Sequence, residues 1–165
     1  MKAQTIRRVK KKRLFQQLEL KIPPPIQTIV CMGCMKVIAL GETHWMLSKR
    51  FYAFWYFVTL GCTFALWAII DCYRHKTTIH PQDPSKTSVL ITSGAFQYSR
   101  NPMYLSLYVC ILSWGLYLGN LWGILFSISF PLSITILQIL PEERALFKRF
   151  GASYQEYTRE VRRWI

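Results

Sequence analysis

The chain has 165 residues, enough for one compact unit and too few for two ordinary domains. Just over half of its residues are apolar, and 21 lysine and arginine residues outnumber 8 aspartate and glutamate residues. A soluble domain this basic would indicate a nucleic-acid-binding protein, but here the charges lie between long uncharged runs. This arrangement favours an integral membrane protein, and we expect no nucleic-acid partner.

The N-terminal segment, residues 1–25, combines a cluster of lysine and arginine residues with three consecutive prolines. The basic cluster is long and no small-residue cleavage pattern follows it, so the segment does not resemble a signal peptide. Basic segments beside membrane spans tend to stay in the cytoplasm. We therefore predict a basic cytoplasmic tail that contacts anionic lipid headgroups, with an arm that binds nucleic acid as the alternative.

The remaining residues, 26–165, form the predicted membrane domain. A spanning helix needs about 20 mainly apolar residues, and the uncharged run from Phe51 to Ile70 has that length. The uncharged run from Asn101 to Leu140 is twice as long, and Gly119-Asn120 at its middle predicts two spans joined by a tight hairpin. A shorter apolar segment that contains Lys36 is a further candidate. The predicted spans are about 26–41, 51–71, 102–118 and 121–140.

The basic residues between these spans predict the orientation of the protein. Four spans place the N-terminal tail, the loop after residue 71 and the residues after the last span on one side of the membrane. We expect this side to be cytoplasmic. Lys49 and Arg50 fall on the other side and argue mildly against this. After the last span we predict C-terminal helices over 141–165, with a turn at Gly151. The predicted fold class is an all-α integral membrane protein with about four transmembrane helices and a cytoplasmic C-terminal helical segment.

Cysteine and histidine residues do not indicate a metal site. Cys31 and Cys34 form a C-x-x-C motif, but no second pair follows. The motif lies in an apolar segment, where cysteine packs as a small hydrophobic residue. His80 stands without other ligand types at metal-binding spacing. We therefore predict no bound metal.

A polar cluster at the start of the third predicted span is the best candidate site. Asn101 is a favoured helix N-cap and Pro102 a favoured first helical residue. The unpaired amides of a helix start attract anions, and Arg100 adds a positive charge. Because the hairpin returns the chain to the same membrane face, Glu142 and Glu143 should emerge near Arg100. Together these groups could bind a small zwitterion; a well-capped interfacial helix start without a ligand is the alternative.

Two stretches at this end resemble a known enzyme family. They are TSGAFQYSRNPMYL and, beyond the hairpin, PEERALFKRFGASYQEYTREVRRW. Together they resemble the isoprenylcysteine carboxyl methyltransferase family, which is related to phospholipid N-methyltransferases. The resemblance runs from about His80 to Trp164, roughly half of the chain. It implies a membrane-embedded methyltransferase that uses S-adenosylmethionine at the cytoplasmic ends of its helices and acts on a lipid or lipidated acceptor.

The resemblance also implies roles for individual residues. We assign the chemistry to Arg100, Asn101, Glu143 and His80. The residues expected to bind the cofactor are Ser88, Val89, Leu90, Ile91, Phe96, Arg100, Asn101, Pro102, Met103, Tyr104 and Glu142.

Two positions depart from the family pattern. The family's histidine is Asn101 here, and an asparagine side chain cannot titrate as a general base. The prenylcysteine enzymes carry an arginine about one turn before the glutamate pair, where Gln138 is the nearest equivalent. A phospholipid or small-thiol methyltransferase therefore remains an alternative. So does a non-catalytic helical membrane adaptor with the same fold.

Overall fold

The structure is a computed structural model that describes residues 19–40, 47–76 and 88–165. Most of the predicted basic tail and His80 lie outside these ranges. The described residues form helices and no β-strand. The α-helices are α1 (Pro24–Ile38), α2 (Leu47–Arg74), α3 (Pro102–Leu118), α4 (Leu121–Ser127), α5 (Ser129–Ile134), α6 (Leu140–Phe150) and α7 (Ala152–Glu160). A 3-10 turn occupies Gly94–Gln97, and a π-helical turn occupies Thr135–Ile139.

Helices α2 and α3 pack against each other in antiparallel orientation. Near the end of α2, Asp71 contacts Ala95 in the 3-10 turn that precedes α3. Near the start of α2, Arg50 lies beside Gly119, which follows α3. We call the end with Asp71 the site end and the end with Gly119 the hairpin end.

Helix α1 completes the core by packing against α3, α4 and α5. Ile22, just before α1, accepts a hydrogen bond from Gln138 at the site end, whereas Met35 lies beside Gly115 towards the hairpin end. The Trp114 indole donates to the Met32 carbonyl of α1 at 3.1 Å. The central apolar residues are Met35, Ile111, Leu118, Phe130, Ile134 and Ile139.

The predicted hairpin is confirmed, and local chemistry explains it. Gly119 has φ +65° and ψ +24°, a left-handed conformation that ends α3 and that glycine adopts without strain. Asn120 is buried and caps α4, because its side-chain oxygen accepts a hydrogen bond from the Gly123 amide at 2.6 Å.

Replacing Asn120 with alanine should destabilise the protein by about 1 kcal/mol, because the Gly123 amide loses its acceptor. Thermal unfolding in detergent measures the effect. Asn120→Ser, which keeps an oxygen that can cap the helix, is the matched control and should recover most of the loss. Equal stability of the alanine and serine variants would contradict a capping role.

Two helical stretches are long and apolar enough to cross a membrane by their length and composition. They are Lys49–Arg74, with mean hydropathy 1.8, and Leu121–Phe150, with mean hydropathy 1.9. Helices α1 and α3 are apolar but have only 15 and 17 residues. At about 1.5 Å per residue they are shorter than a hydrocarbon core of about 30 Å. The structure thus supports two candidate spans and does not confirm four.

Helix α2 presents an apolar surface to its surroundings. Only 11% of its most apolar 18-residue window is buried within the protein. Trp55, Tyr56 and Leu60 on this helix are all at least half exposed. Since a buried core helix would cover such side chains, their exposure is what a lipid-facing helix requires.

The helix predicted to follow the last span is present as α6, and helical structure runs without a break from the π-helical turn through Pro141 to Phe150. A proline inside a helix leaves the carbonyl four residues earlier without its amide donor. Here that carbonyl belongs to Leu137, and it accepts a hydrogen bond from the Leu20 amide at 2.9 Å. The segment before α1 therefore supplies the hydrogen bond that Pro141 cannot.

The predicted turn at Gly151 is confirmed, with φ +53° between α6 and α7. The expectation of helix as far as residue 165 is wrong, since α7 ends at Glu160. Val161 has extended backbone angles, φ −115° and ψ +130°. We call residues 161–165 the C-terminal segment; it leaves α7 and lies against the start of α3.

Candidate active site

The turn before α3 is held in place by a buried carboxylate. Asp71 is 5% exposed, and one of its carboxylate oxygens accepts a hydrogen bond from the Ala95 amide at 2.9 Å. Gly94 has φ +62°, and a Cβ atom at this position would collide with the Asp71 carboxylate. The turn therefore requires glycine for both conformation and space, and it brings Phe96 and Ser99 to the site end.

The C-terminal segment completes the hydrogen bonds at the start of α3. The Arg100 amide donates to the Arg162 carbonyl at 3.0 Å. The Asn101 side-chain amide donates to the Arg163 carbonyl at 2.9 Å, and the Ser99 hydroxyl donates to the same carbonyl at 3.3 Å. Asn101 occupies the N-cap position, yet its side chain makes no capping hydrogen bond. Its role in the fold is thus to hold the C-terminal segment.

One glutamate is bound by two guanidinium groups. Arg163 donates two parallel hydrogen bonds to Glu143, from Nε to Oε1 at 3.0 Å and from Nη2 to Oε2 at 2.8 Å. Arg100 Nη2 lies 3.3 Å from Glu143 Oε1. The hydrogen bonds that Glu143 accepts raise the pKa of Arg163. Two positive charges therefore share one negative charge at this point.

The second glutamate has a different partner. The Tyr104 hydroxyl donates to Glu142 Oε1 at 2.5 Å. Tyr104 is 7% exposed, and Tyr108, one turn further along α3, stacks on Phe130 and also contacts the Trp164 ring. Trp164 belongs to the C-terminal segment. The polar cluster is therefore bordered by aromatic side chains on its apolar side.

Two tyrosines of α7 close the polar side of the cluster. The Tyr157 hydroxyl donates to the Phe96 carbonyl at 2.7 Å, which ties α7 to the 3-10 turn. Burial raises the pKa of Tyr154 to about 12 and also raises the pKa of Tyr157. Both phenols therefore stay neutral hydrogen-bonding groups at physiological pH.

The structure brings several of the sequence-predicted site residues together. Arg100 and Glu143 are in direct contact, Asn101 and Tyr104 lie on the same first turn of α3, and Glu142 contacts Tyr104. Pro102 is buried as the first residue of α3, and Met103 beside it is partly exposed.

The segment 88–91 is less closely tied to the cluster. The Ser88 hydroxyl donates to the Lys76 carbonyl at 3.1 Å, beyond the end of α2. Val89 is exposed and Leu90 is partly exposed, whereas Ile91 is 7% exposed. His80 lies outside the described residues, so its predicted role stays a prediction.

Only one end of the Gln138 side-chain amide is bonded, since its Oε1 atom is buried and has no hydrogen-bond partner among the described residues. Gln138 is fully buried in the π-helical turn, and its side-chain amide donates to the Ile22 carbonyl at 2.7 Å. Its contribution to the described structure is to fix the segment that leads into α1.

Sequence reasoning missed Arg163. It appears in the sequence as one of several basic residues of the tail, and no spacing distinguishes it from its neighbours. Its pairing with Glu143 depends on the chain leaving the helix after Glu160, whereas the sequence predicts helices over 141–165. Among the described residues no group of three histidine, cysteine, aspartate or glutamate side chains could hold a metal ion.

Comparisons with known proteins identify the family to which the chain belongs. The model of the family described as phospholipid methyltransferase matches residues 49–153. A relative from Haemophilus influenzae, described as an uncharacterized protein, is 46% identical over 63 residues, which are 38% of this chain and the whole of that relative. No solved structure matches the chain significantly. Since the matched residues 49–153 make up more than half of the sequence and include the turn, α3 and the glutamate pair, the chain belongs to the phospholipid methyltransferase family.

Proposed function

We propose that the protein is an S-adenosylmethionine-dependent methyltransferase that methylates a lipid or a lipidated acceptor within the membrane. The observation that carries the proposal is the Arg100–Glu143–Arg163 cluster beside the Tyr104–Glu142 pair. It gathers charged groups at one end of apolar helices. A charged cofactor and an apolar acceptor can meet at such a boundary.

The residues of the cluster fit the cofactor. Its amino-acid portion is a zwitterion, and the Arg100–Glu143–Arg163 trio has one positive charge in excess, which suits a carboxylate. Arg100 Nε is buried and has no hydrogen-bond partner among the described residues, so it can donate to a ligand. Glu142 offers a carboxyl group that can accept a hydrogen bond from the ammonium group. Phe96 and the segment 88–91 would border the adenosine portion.

When bound, S-adenosylmethionine supplies an electrophilic methyl group on a sulfonium centre. The protein's contribution is to orient the reactants and to exclude water. Arg100 would orient the cofactor, and the Tyr108–Phe130–Trp164 rings would keep water from the apolar side.

An amine acceptor must also lose a proton. Both oxygens of Glu143 already accept hydrogen bonds from Arg163, whereas Glu142 accepts one from Tyr104 at Oε1. Glu142 is therefore the better placed group to receive the proton. Asn101 holds the Arg163 carbonyl and cannot titrate. We therefore assign Asn101 and Glu143 to orientation rather than proton transfer.

We propose a phospholipid-type acceptor in preference to a prenylcysteine. A prenylcysteine presents a carboxylate, and the prenylcysteine enzymes that the chain resembles carry an arginine for it one turn before the glutamate pair. Gln138, the nearest residue, is neutral, buried and bonded to Ile22. This supports a lipid amine as the acceptor, with a prenylcysteine-type or small-thiol acceptor as the alternative outcome.

We also propose that the site end faces the cytoplasm. Glu19, near the start of the described chain, pairs with Arg144 at the site end at 2.5 Å. Basic residues are concentrated at this end, as in cytoplasmic segments beside spans. They include Arg74, Lys76, Arg144, Lys148, Arg149, Arg159, Arg162 and Arg163.

Methyl transfer into membrane extract tests the proposal. Membranes that contain the protein are incubated with S-adenosylmethionine labelled in its methyl group, and the label is separated into lipid, protein and volatile fractions. We expect label in the lipid fraction above that of membranes lacking the protein. Label confined to protein or to volatile thioethers would contradict the lipid acceptor. No transfer, together with no saturable binding of S-adenosylmethionine, would instead support a non-catalytic adaptor.

A further inference from the structure

We propose that Arg163 is a positioning residue that holds Glu143 in place and thereby leaves Arg100 available for the carboxylate of the cofactor. This inference rests on the proposed function and deepens it. It assigns a role in ligand binding to the C-terminal segment, which has no helical structure and which the sequence motifs left without a function.

The first observation is that Arg163 is fixed at both its backbone and its side chain. Its carbonyl accepts hydrogen bonds from Ser99 and Asn101, which flank Arg100. Its guanidinium group binds both oxygens of Glu143, a geometry that suits the planar arginine fork. Arg163 therefore connects both neighbours of Arg100 in the sequence to the glutamate that Arg100 contacts.

The second observation is an asymmetry between the two arginines. Arg163 uses two nitrogen atoms on Glu143, at 3.0 and 2.8 Å, whereas Arg100 approaches with one nitrogen at 3.3 Å. The Arg100 side chain is also the more buried of the two, at 12% exposed against 35%. Its Nε has no hydrogen-bond partner within the described ranges. Glu143 is thus satisfied mainly by Arg163, and Arg100, which also hydrogen-bonds to Tyr154, retains its Nε donor for another anion.

Charge balance leads to the same conclusion. With Arg163 present, the trio carries two positive charges and one negative charge. Without Arg163, Glu143 would be left to Arg100 alone, and the pair would be neutral. Arg100 would then turn its fork towards Glu143, since a bidentate pair is stronger than a single contact. A ligand carboxylate would lose both the excess charge and the free Nε donor.

The test compares two ligands that differ by one group. S-adenosylmethionine has the carboxylate, and decarboxylated S-adenosylmethionine lacks it but keeps the amine, the sulfonium and the adenosine. Isothermal titration of the purified full-length protein in detergent gives a Kd for each. We expect Arg163→Ala to weaken S-adenosylmethionine binding by about tenfold and to change binding of the decarboxylated compound by less than about twofold.

The controls separate this role from a structural one. Arg159→Ala removes the same charge from an exposed position on α7 and should leave both Kd values unchanged. Arg163→Lys keeps the charge but not the fork, so its effect on S-adenosylmethionine should be intermediate. Thermal unfolding identifies any variant that does not fold; if Arg163→Ala does not, Arg163→Lys and Arg163→Gln provide the same comparison.

A double-mutant cycle tests whether Arg163 acts through Glu143. In a Glu143→Gln background, Arg163→Ala should add less than about twofold to the Kd of S-adenosylmethionine. Independent, multiplicative effects of the two substitutions would overturn the proposal. An equal loss of affinity for both ligands would also overturn it, because the carboxylate would not be the group affected. If the wild-type protein binds neither ligand, the proposed function itself fails. If the wild-type protein binds S-adenosylmethionine and the variants keep the same ligand preference, only the role proposed for Arg163 fails.

Discussion

Replacing Arg100 with alanine should lower kcat/KM for methyl transfer by at least about 100-fold, which corresponds to about 2.7 kcal/mol. The substitution removes the guanidinium group that contacts Glu143 and carries the buried Nε donor. The backbone should stay in place, because the Arg100 amide donates to the Arg162 carbonyl whatever the side chain. Initial rates measured over a range of S-adenosylmethionine concentrations check the prediction.

Two further variants make this result interpretable. Arg100→Lys keeps a positive charge with fewer donors, so its rate should lie between those of the wild type and the alanine variant. Arg144→Ala removes a charge from the same end of the protein, where Arg144 is exposed and pairs with Glu19. Its rate should stay within about twofold of the wild type, since an exposed ion pair contributes little. An Arg100→Ala variant that folds and retains wild-type kcat/KM would refute the assignment of Arg100.

Replacing Gly94 with alanine should destabilise the protein by about 2–4 kcal/mol and should also impair activity. The positive φ of Gly94 costs any residue with a Cβ about 1–2 kcal/mol. The added methyl group would also collide with the Asp71 carboxylate, which holds the Ala95 amide. Since the turn carries Phe96 and leads into Arg100, its displacement should reach the site. Thermal unfolding and methyl transfer rates of the same preparation measure the two effects.

An Asp71→Ala background separates the two contributions at Gly94. That substitution removes the carboxylate with which the new methyl group collides, so the additional cost of Gly94→Ala should fall to the conformational cost alone, about 1–2 kcal/mol. Gly33→Ala is the control for adding a methyl group, because a Cβ there meets nothing within 4 Å. It lies inside α1 and should be neutral or slightly stabilising. Equal costs of Gly94→Ala in the presence and absence of Asp71 would show that the collision is unimportant.

Local signals in the sequence were enough to locate the turns. Glycine at residues 119 and 151 predicted changes of chain direction, and both have a positive φ. Asn101-Pro102 predicted the start of α3, which begins at Pro102. These predictions succeed because glycine and proline act through their own backbone geometry, which depends little on the rest of the fold.

Contacts between distant parts of the chain could not be predicted in the same way. The hydrogen bond from the Leu20 amide that makes Pro141 compatible with a continuous helix joins segments far apart in the sequence. The pairing of Arg163 with Glu143 depends on where α7 ends. The same limit applies to α1 and α3, because apolar composition identified them but did not establish that they are long enough to cross a bilayer.

The π-helical turn at Thr135–Ile139 sets the helical phase of the glutamate pair. A π turn contains one residue more than an α turn, and one residue corresponds to a rotation of about 100° about the helix axis. In a regular α-helix continuing from Ile134, Glu142 and Glu143 would each point in a fixed direction from the helix axis. The π turn rotates both directions by about 100° about the axis. One helical stretch can in this way direct its first half towards the apolar core and its last half towards the Arg100 cluster, two directions that a regular 3.6-residue repeat would not combine.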